Sequence, residues 1–499
     1  MPINRVPVDI LSLIPAHLSS QNDQFRATFV CRHWRRTLLE HGALWSQMFL
    51  KKGWGYTKTL LKRARGSLLE ISIDQDVPSS TIALLFPRSQ QIGCLKFQRN
   101  YLMGIGKFSG VNPGPLPCLR TLKISWHGTN DDDQPFTATP PSSPFFSNAT
   151  NVEEFIFDST RFQLLNHFVF PNLTTFKLRT RGVARSRAPD LFDFLKASPM
   201  LRKVEIYVSI GIMLADIPRE MVVILPNVET FSLTSSDENA YDVAVHISCP
   251  RARDASLISE VIDLHIPSTG WEIFPTSVLW NTIIHHYTRS PAEEVTLEMR
   301  PLCNPFSLTF QSSDASTVRL AFELILLSDN EDELDIGYGE IFSEAFSQGL
   351  GIIQTHPLLR NVKRFHIICR DSGSINFQTL LTATGIEGVF GSVGPLDTLT
   401  LSGCDLHPYL AGFGKVDVSE KQIAFPPIKH LTISHPWMED DEEECMDAIV
   451  ELSKSQHARG VPFQRVTVRA ESLPATMEGR LRQWVSVADC HEEVPPVED

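Results

Sequence analysis

Few places in this chain could do chemistry: the pair His285-His286, the glycines Gly104 and Gly106, three carboxylate runs, a group of arginines, and the stretch Phe29-Val30-Cys31-Arg32-His33-Trp34-Arg35-Arg36. Adjacent histidines on a helix or strand point apart. No third ligand lies near them in sequence, so His285-His286 reads as loop or core histidines rather than a zinc site. Gly104-Ile105-Gly106 lacks the third glycine and the strand-to-helix setting of a dinucleotide fingerprint. Asp131-Asp132-Asp133, Asn330 to Asp335 and Glu439 to Glu444 have neither the spacing nor the turn glycine of a calcium loop, and read as solvated loops. Arg179, Arg181, Arg185 and Arg187 have no interleaved aromatics; they read as a solvated basic loop, with a docking patch as the alternative. No Gly-x-Ser-x-Gly, His-Glu-x-x-His or phosphate-binding loop occurs. The expectation is a protein that is not an enzyme, with no catalytic residues, no metal site and no cofactor.

Composition agrees. The 499 residues are 42% hydrophobic and 21% charged, which suffices for a large core. A net charge of −13 argues against a nucleic-acid binder, whose footprint would be basic. Cysteines at 31, 94, 118, 249, 303, 369, 404, 445 and 490 form no Cys-x-x-Cys and suit a reducing compartment, as small buried hydrophobes. The N-terminus lacks a signal peptide's apolar run, and no stretch approaches the roughly 20 apolar residues of a membrane span. Asn148-Ala149-Thr150 and Asn172-Leu173-Thr174 match the glycosylation triplet and read as chance. Together these predict a soluble protein of the cytoplasm and/or nucleus, with no nucleic-acid or membrane partner.

The basic stretch at 29–36 needs elements to position it. Val6-Pro7-Val8-Asp9 has the proline and acid of a helix start, and Ile10, Leu11, Ile14 and Leu18 then share one apolar face. Pro15 removes a backbone hydrogen bond at a cost of about 3 kcal/mol, so that helix is short or kinked. Asn22 or Asp23 can cap a second helix. Phe25 and Phe29, then Val30, Trp34 and Leu38, recur every four residues and predict one amphipathic helix with Arg32, His33, Arg35 and Arg36 opposite. Leu44-Trp45 and Phe49-Leu50 continue the apolar pattern past Gly42. Three short helices bury little surface, so something else must complete their core.

The ordered set Val6-Pro7-Val8-Asp9-Ile10-Leu11, Ile14, Leu18, Asp23, Val30-Cys31-Arg32-His33-Trp34-Arg35 and Leu44-Trp45 resembles an F-box. That family's pattern runs Leu-Pro-x-Glu-Ile-Leu, Ile and Leu, Asp-Leu, Val-Cys-Arg-x-Trp-Arg, Leu-Trp. Val6 and Gln24 stand where it has leucine, and Pro15 is unusual inside its first helix. The resemblance implies docking on the Skp-type adaptor of a cullin-based (SCF) ubiquitin ligase. It implies that Val6, Pro7, Ile10, Leu11, Ile14, Leu18, Val30 and Trp34 contribute to that interface. The other reading is a plain helical cap.

Beyond residue 67 one phrase recurs: an apolar residue, two variable ones, an apolar, a variable, an apolar. It appears at Leu68 to Ile73, Ile92 to Phe97, Leu119 to Ile124, Val152 to Phe157, Leu173 to Leu178, Leu201 to Ile206 and Val228 to Leu233. Later copies are Ala292 to Leu297, Val362 to Ile367, Leu396 to Leu401, Ile428 to Ile433 and Phe463 to Val468, with weaker ones at Ala252 to Leu257 and Ala315 to Leu320. A proline often precedes the phrase. Each phrase ends in an alternating trio suited to a short strand. Between phrases lie helical stretches, such as Asp190 to Ala197 and Glu444 to Ser455. The series predicts an α/β chain: a three-helix F-box at 1–50, a helical linker at 51–66, and an irregular leucine-rich-repeat-like solenoid of parallel strands backed by helices at 67–488. A disordered acidic tail completes it at 489–499. Leu396, Leu399, Leu401, Cys404 and Leu406, and Ile92, Leu95, Phe97, Asn100 and Leu102, extend into the full leucine-rich pattern. The layout resembles the large F-box families of mushroom-forming fungi.

Side chains alternate along a strand, so the residue between the last two apolar positions projects from the open, concave sheet face. That column reads Ser72, Lys96, Lys123, Ile156, Lys177, Glu205, Ser232, Thr296, His366, Thr400, Thr432 and Thr467. Its lysines could hold an acidic or phosphorylated segment, which makes Lys96, Lys123, Lys177, Glu205 and His366 the candidate target-binding residues. The expected role is a non-catalytic substrate receptor, partnered by the adaptor, through it a cullin, and an unknown target protein. The alternatives are a repeat scaffold without ligase function and a small-ligand sensor.

Overall fold

The computed structural model describes residue 10 and residues 21–50, 53–74, 77–98, 105, 108, 114–125, 146–158, 165–180, 186–208, 212–213, 221–235, 243, 246–261, 292–300, 304–312, 317–324, 360–369, 393–403, 426–434, 442–470 and 476–492. The chain divides into two compact units, Met1–Val228 and Glu229–Asp499.

In the first unit, helices α1 (Gln21–Ala27) and α2 (Arg32–Glu40) and a 3-10 turn (Gly42–Trp45) lead into β1 (Gln47–Phe49), α3 (Trp54–Ala64) and β2 (Leu69–Ile73). Then come α4 (Ser79–Ala83), β3 (Ile92–Gln98), β4 (Thr121–Ser125), β5 (Glu154–Asp158), β6 (Thr175–Thr180), α5 (Ala188–Lys196) and β7 (Lys203–Val208). Strands β1 to β7 pair in chain order, every pair parallel. Ile71, Leu95, Leu122, Phe155, Phe176 and Val204 align in one register row. All are fully buried, as the alternation demands. Phenylalanines thicken this core. The Phe155 ring lies 5.0 to 5.9 Å from those of Phe157, Phe168, Phe170, Phe176 and Phe194, and each such pair contributes about 0.5–1.5 kcal/mol beyond burial. Phe194 comes from α5, whose Leu191 and Leu195 are also buried.

The residues just ahead of the strands have a structural role. The amides of Arg120, Glu153, Thr174 and Arg202 donate to the carbonyls of Gly93, Arg120, Glu153 and Thr174 at 2.8–2.9 Å, which extends the ladder beyond the strands. Asn151, Asn172 and Asn227 each donate a side-chain amide to a carbonyl in the preceding loop, of Pro117, Thr150 and Pro199, at 2.9, 2.9 and 3.0 Å. Asn172, read from sequence as part of a chance glycosylation triplet, is one of these staples.

The second unit holds β8 (Thr230–Ser235), β9 (Asp254–Val261), β10 (Ala292–Arg300), β11 (Asn304–Ser312), β12 (Thr317–Leu324) and β13 (Arg364–Cys369). It continues with β14 (Leu396–Gly403), β15 (Ile428–Ser434), α6 (Glu442–Ala458), β16 (Arg465–Ala470), α7 (Met477–Leu481) and β17 (Val487–Glu492). Here strand order departs from chain order. β9 pairs with β12, β12 with β11, β11 with β10, and β10 with β13, after which β13 to β17 follow in sequence. β11 runs antiparallel to both its neighbours.

The predicted sheet is thus corrected in this unit: parallel pairing holds on both sides of an antiparallel meander. Phe306, Leu308 and Phe310 alternate in β11, but without the longer recurring phrase, so the repeat pattern does not reveal the strand; Phe310 is fully buried. The acidic tail expected from Asp489 overlaps β17, whose Asp489 to Glu492 pair with Thr467 to Ala470. The Asn100, Leu102, Cys404 and Leu406 positions of the full leucine-rich pattern lie outside the described residues, as do His285-His286, Gly104, Gly106 and the runs at 131–133 and 330–335. Among the described residues no helix is long and apolar enough to cross a membrane.

Candidate functional site

Two surfaces carry the sequence's candidate residues, one at the N-terminus and one on the sheet.

The expected single helix through Phe25, Val30 and Leu38 is two helices. The Thr28 hydroxyl donates to the Phe25 carbonyl at 2.7 Å, and backbone turns close Thr28 to Val30. Cys31 adopts an extended backbone and caps α2, its sulfur accepting from the Trp34 amide at 3.5 Å. A cap residue cannot continue the preceding helix, so periodicity across it misleads. The break has a consequence for the surface: Phe29 is 70% exposed and Val30 49%. Ile10, the described residue of the first predicted helix, is 53% exposed, whereas Val6, Pro7, Leu11, Ile14 and Leu18 lie outside the described residues. Arg35 lies over the Phe29 ring at 5.2 Å and donates to the Thr28 carbonyl at 3.1 Å, so it braces the turn. Trp34 is half-buried, and its indole N–H is buried with no hydrogen-bond partner among the described residues.

Behind this surface sits a core. Trp45 is fully buried, donates its indole N–H to the Leu38 carbonyl at 2.8 Å, and meets Phe25 at 5.2 Å. The Arg63 guanidinium of α3 covers the Trp45 ring at 4.7 Å. Gly42 is required here, because a Cβ would meet the Ala64 carbonyl oxygen at 2.8 Å. Residues 3–51 match the F-box-like family model. No curated protein matches the chain. The matched segment includes β1, which pairs with β2 in the register Met48 to Ile71, so the F-box-like domain supplies the first strand of the sheet.

On the sheet, Ser72, Lys96, Lys123, Ile156, Lys177 and Glu205 stand in one row on the face opposite the core. The adjacent row is Glu70, Cys94, Thr121, Glu154, Thr175 and Lys203. Lys96 pairs with Glu70. Burial disfavours the Lys96 ammonium, but the hydrogen bond and charge of Glu70 together outweigh it and raise the Lys96 pKa. Lys177 reaches Glu205 at 3.5 Å and Glu154 at 4.0 Å, and Lys203 holds Glu205 at 2.6 Å. Burial alone would raise the Glu205 pKa; the two lysines overcome it and lower the value. Burial also pushes the Cys94 thiol up to about 11, which leaves it neutral at pH 7.

His366 belongs to the second unit. Its row is Ser232, Ser256, Arg319, Thr309, Thr296, His366, Thr400, Thr432, Thr467 and Asp489. Its Nε2 lies 3.6 Å from Glu294, which Arg364 holds at 2.8 Å. Burial lowers the His366 pKa and Arg364 adds to this, against the pull of Glu294. Residues contributed by β9, β11, β12 and β17 complete a row that the recurring phrase reported only in part. Among the described residues no group of three or more His, Cys, Asp or Glu could hold a metal ion.

Proposed function

We propose that this chain is the substrate-recognition subunit of an SCF-type ubiquitin ligase, acting in the cytoplasm and/or nucleus. The F-box-like domain docks on the Skp-type adaptor, and through it a cullin, by way of Ile10, Val30, Trp34 and the apolar residues preceding them. The sheet, read as a leucine-rich-repeat-like solenoid, holds the target. The chain itself is non-catalytic: tethering raises the target's effective concentration at an active site carried by another subunit. The observation that carries this reading is the F-box-like match at residues 3–51 together with exposed Phe29 and Val30 within it.

The test is retention of a purified Skp-type adaptor by the full chain. Deleting the first fifty residues would remove β1 and Trp45 with the docking surface, so point variants serve better. Phe29→Asp with Val30→Asp changes side chains that are 70% and 49% exposed, and is expected to abolish retention while the thermal melt stays unchanged. A folded chain that never retains the adaptor would leave a helical cap and a scaffold.

A further inference from the structure

Each lysine column on the first unit's outer face has carboxylates beside it, yet the lysines are not equivalent. Lys96 is held by Glu70, Lys177 by Glu205 and Glu154, and Lys203 by Glu205. Among the described residues Lys123 has no ion-pair partner. Its row neighbours are the Lys96 ammonium and the Ile156 side chain. Of the carboxylates in the two flanking rows, Glu70 is engaged with Lys96, and Glu154 with Lys177 and with the Thr121 hydroxyl at 3.4 Å; Asp158, opposite Ser125, is buried and makes no ion pair with Lys123. Beside it the Cys94 thiol carries no charge at pH 7 to balance the ammonium. Among the described residues no carboxylate therefore reaches ion-pair distance of the Lys123 ammonium, on a face where Lys96, Lys177 and Lys203 are each paired.

We propose that Lys123 anchors an unmodified aspartate or glutamate side chain of the target protein, with Ile156 offering an apolar contact beside it. The proposal rests on the substrate-receptor reading and gives it a target chemistry. The charge arithmetic selects a carboxylate over a phosphate. A single ammonium balances one negative charge, whereas a phosphorylated residue brings nearly two and is matched by Arg clusters. The flanking row of Ser125 and Asp158 contains Arg179, but two strands away from Lys123, so no arginine cluster surrounds it.

The experiment is selection of displayed random peptides on the full-length chain, repeated on Lys123→Glu, Lys123→Met and Lys454→Met. Peptides selected by the unaltered chain are expected to share an Asp or Glu at one position. Lys123→Met should weaken them roughly tenfold or more, the size of one charge-assisted contact. Lys123→Glu should select Lys or Arg at that same position, and Lys454→Met, on α6 and outside both rows, should leave the binders within about twofold. Matching thermal melts for the variants guard against loss of fold, and the Met variant stands in if the Glu variant unfolds. Absence of acidic enrichment overturns the proposal, as do binders indifferent to Lys123. So do binders lost instead on Thr400→Val with Thr432→Val, or tighter binding once phosphoserine replaces the shared acid. Adaptor retention, measured separately, tells whether the ligase reading or this contact has failed.

Discussion

In the first unit the outward row of the sheet is studded with charge: Lys96, Lys123, Lys177 and Glu205, beside Glu70, Glu154 and Lys203. In the second unit the corresponding row is mostly hydroxyls, with Thr309, Thr296, Thr400, Thr432 and Thr467 flanking His366. The inward rows differ far less: Phe155 and Phe176 in one, Phe365, Leu399 and Leu431 in the other, all buried. Core positions are confined to apolar side chains by desolvation, while the open face is free to vary. The backbone differs too. The first unit keeps chain order through β1 to β7, and the second inserts the antiparallel β10–β12 meander.

The largest test of this contrast is in the first unit's core. Phe155→Ala removes a fully buried ring with five aromatic neighbours and is expected to cost about 3–5 kcal/mol, read as a lowered denaturation midpoint. Protection from hydrogen exchange should fall in β3 to β6 and stay unchanged in β13 to β17; equal loss in both would mean the two units unfold as one. Next in size, Thr309→Pro puts a residue without an amide hydrogen into the middle of β11, flanked on both sides, at a cost of about 3 kcal/mol. Exchange should then accelerate in β10 to β12 and spare β2 to β7.

Much of this architecture is legible in the sequence. Every copy of the phrase ends in a strand, including the weaker ones that begin at 252 and 315, because period-two burial is a local property. The break at Thr28 to Cys31 was not, since Val30, Trp34 and Leu38 keep helical spacing across a cap. Nor were the ion pairs. Glu70 and Lys96, or Glu154 and Lys177, are more than twenty residues apart, and only their shared register makes them neighbours.

Two smaller effects sharpen the contrast between the faces. The His366 pKa is depressed below 6.5 by burial, so its contribution to stability is present above that value and is lost as pH falls toward the lowered one. His366→Gln should flatten the pH dependence of the denaturation midpoint in the mildly acidic range; an unchanged profile would mean that another group governs it. Smallest of all is the exposed pair of Asp397 and Lys429 at 2.6 Å, each the second residue of its strand, β14 and β15. Its hydrogen bond holds the Asp397 carboxyl below 3.8, so that contribution is present above 3.8 and vanishes as pH falls through the lowered value. Being exposed, it contributes less than about 1 kcal/mol, and Asp397→Asn should converge with the unaltered chain in acid.

Local pattern alone marks the strands that carry the recurring phrase, the side of each that is buried, and the F-box resemblance within residues 1–50, while β1, β11 and the end of β17 escape it. What it marks depends on side-chain types at spacings of two to four residues, within reach of local sterics and desolvation. Long-range pairing instead sets β12 rather than β10 beside β9, joins the F-box-like domain to the sheet through β1, and leaves Lys123, alone among the row's lysines, without an ion-pair partner among the described residues. Those outcomes depend on which distant segments become neighbours. That choice is made by packing and strand pairing between parts of the chain whose separation no local pattern encodes.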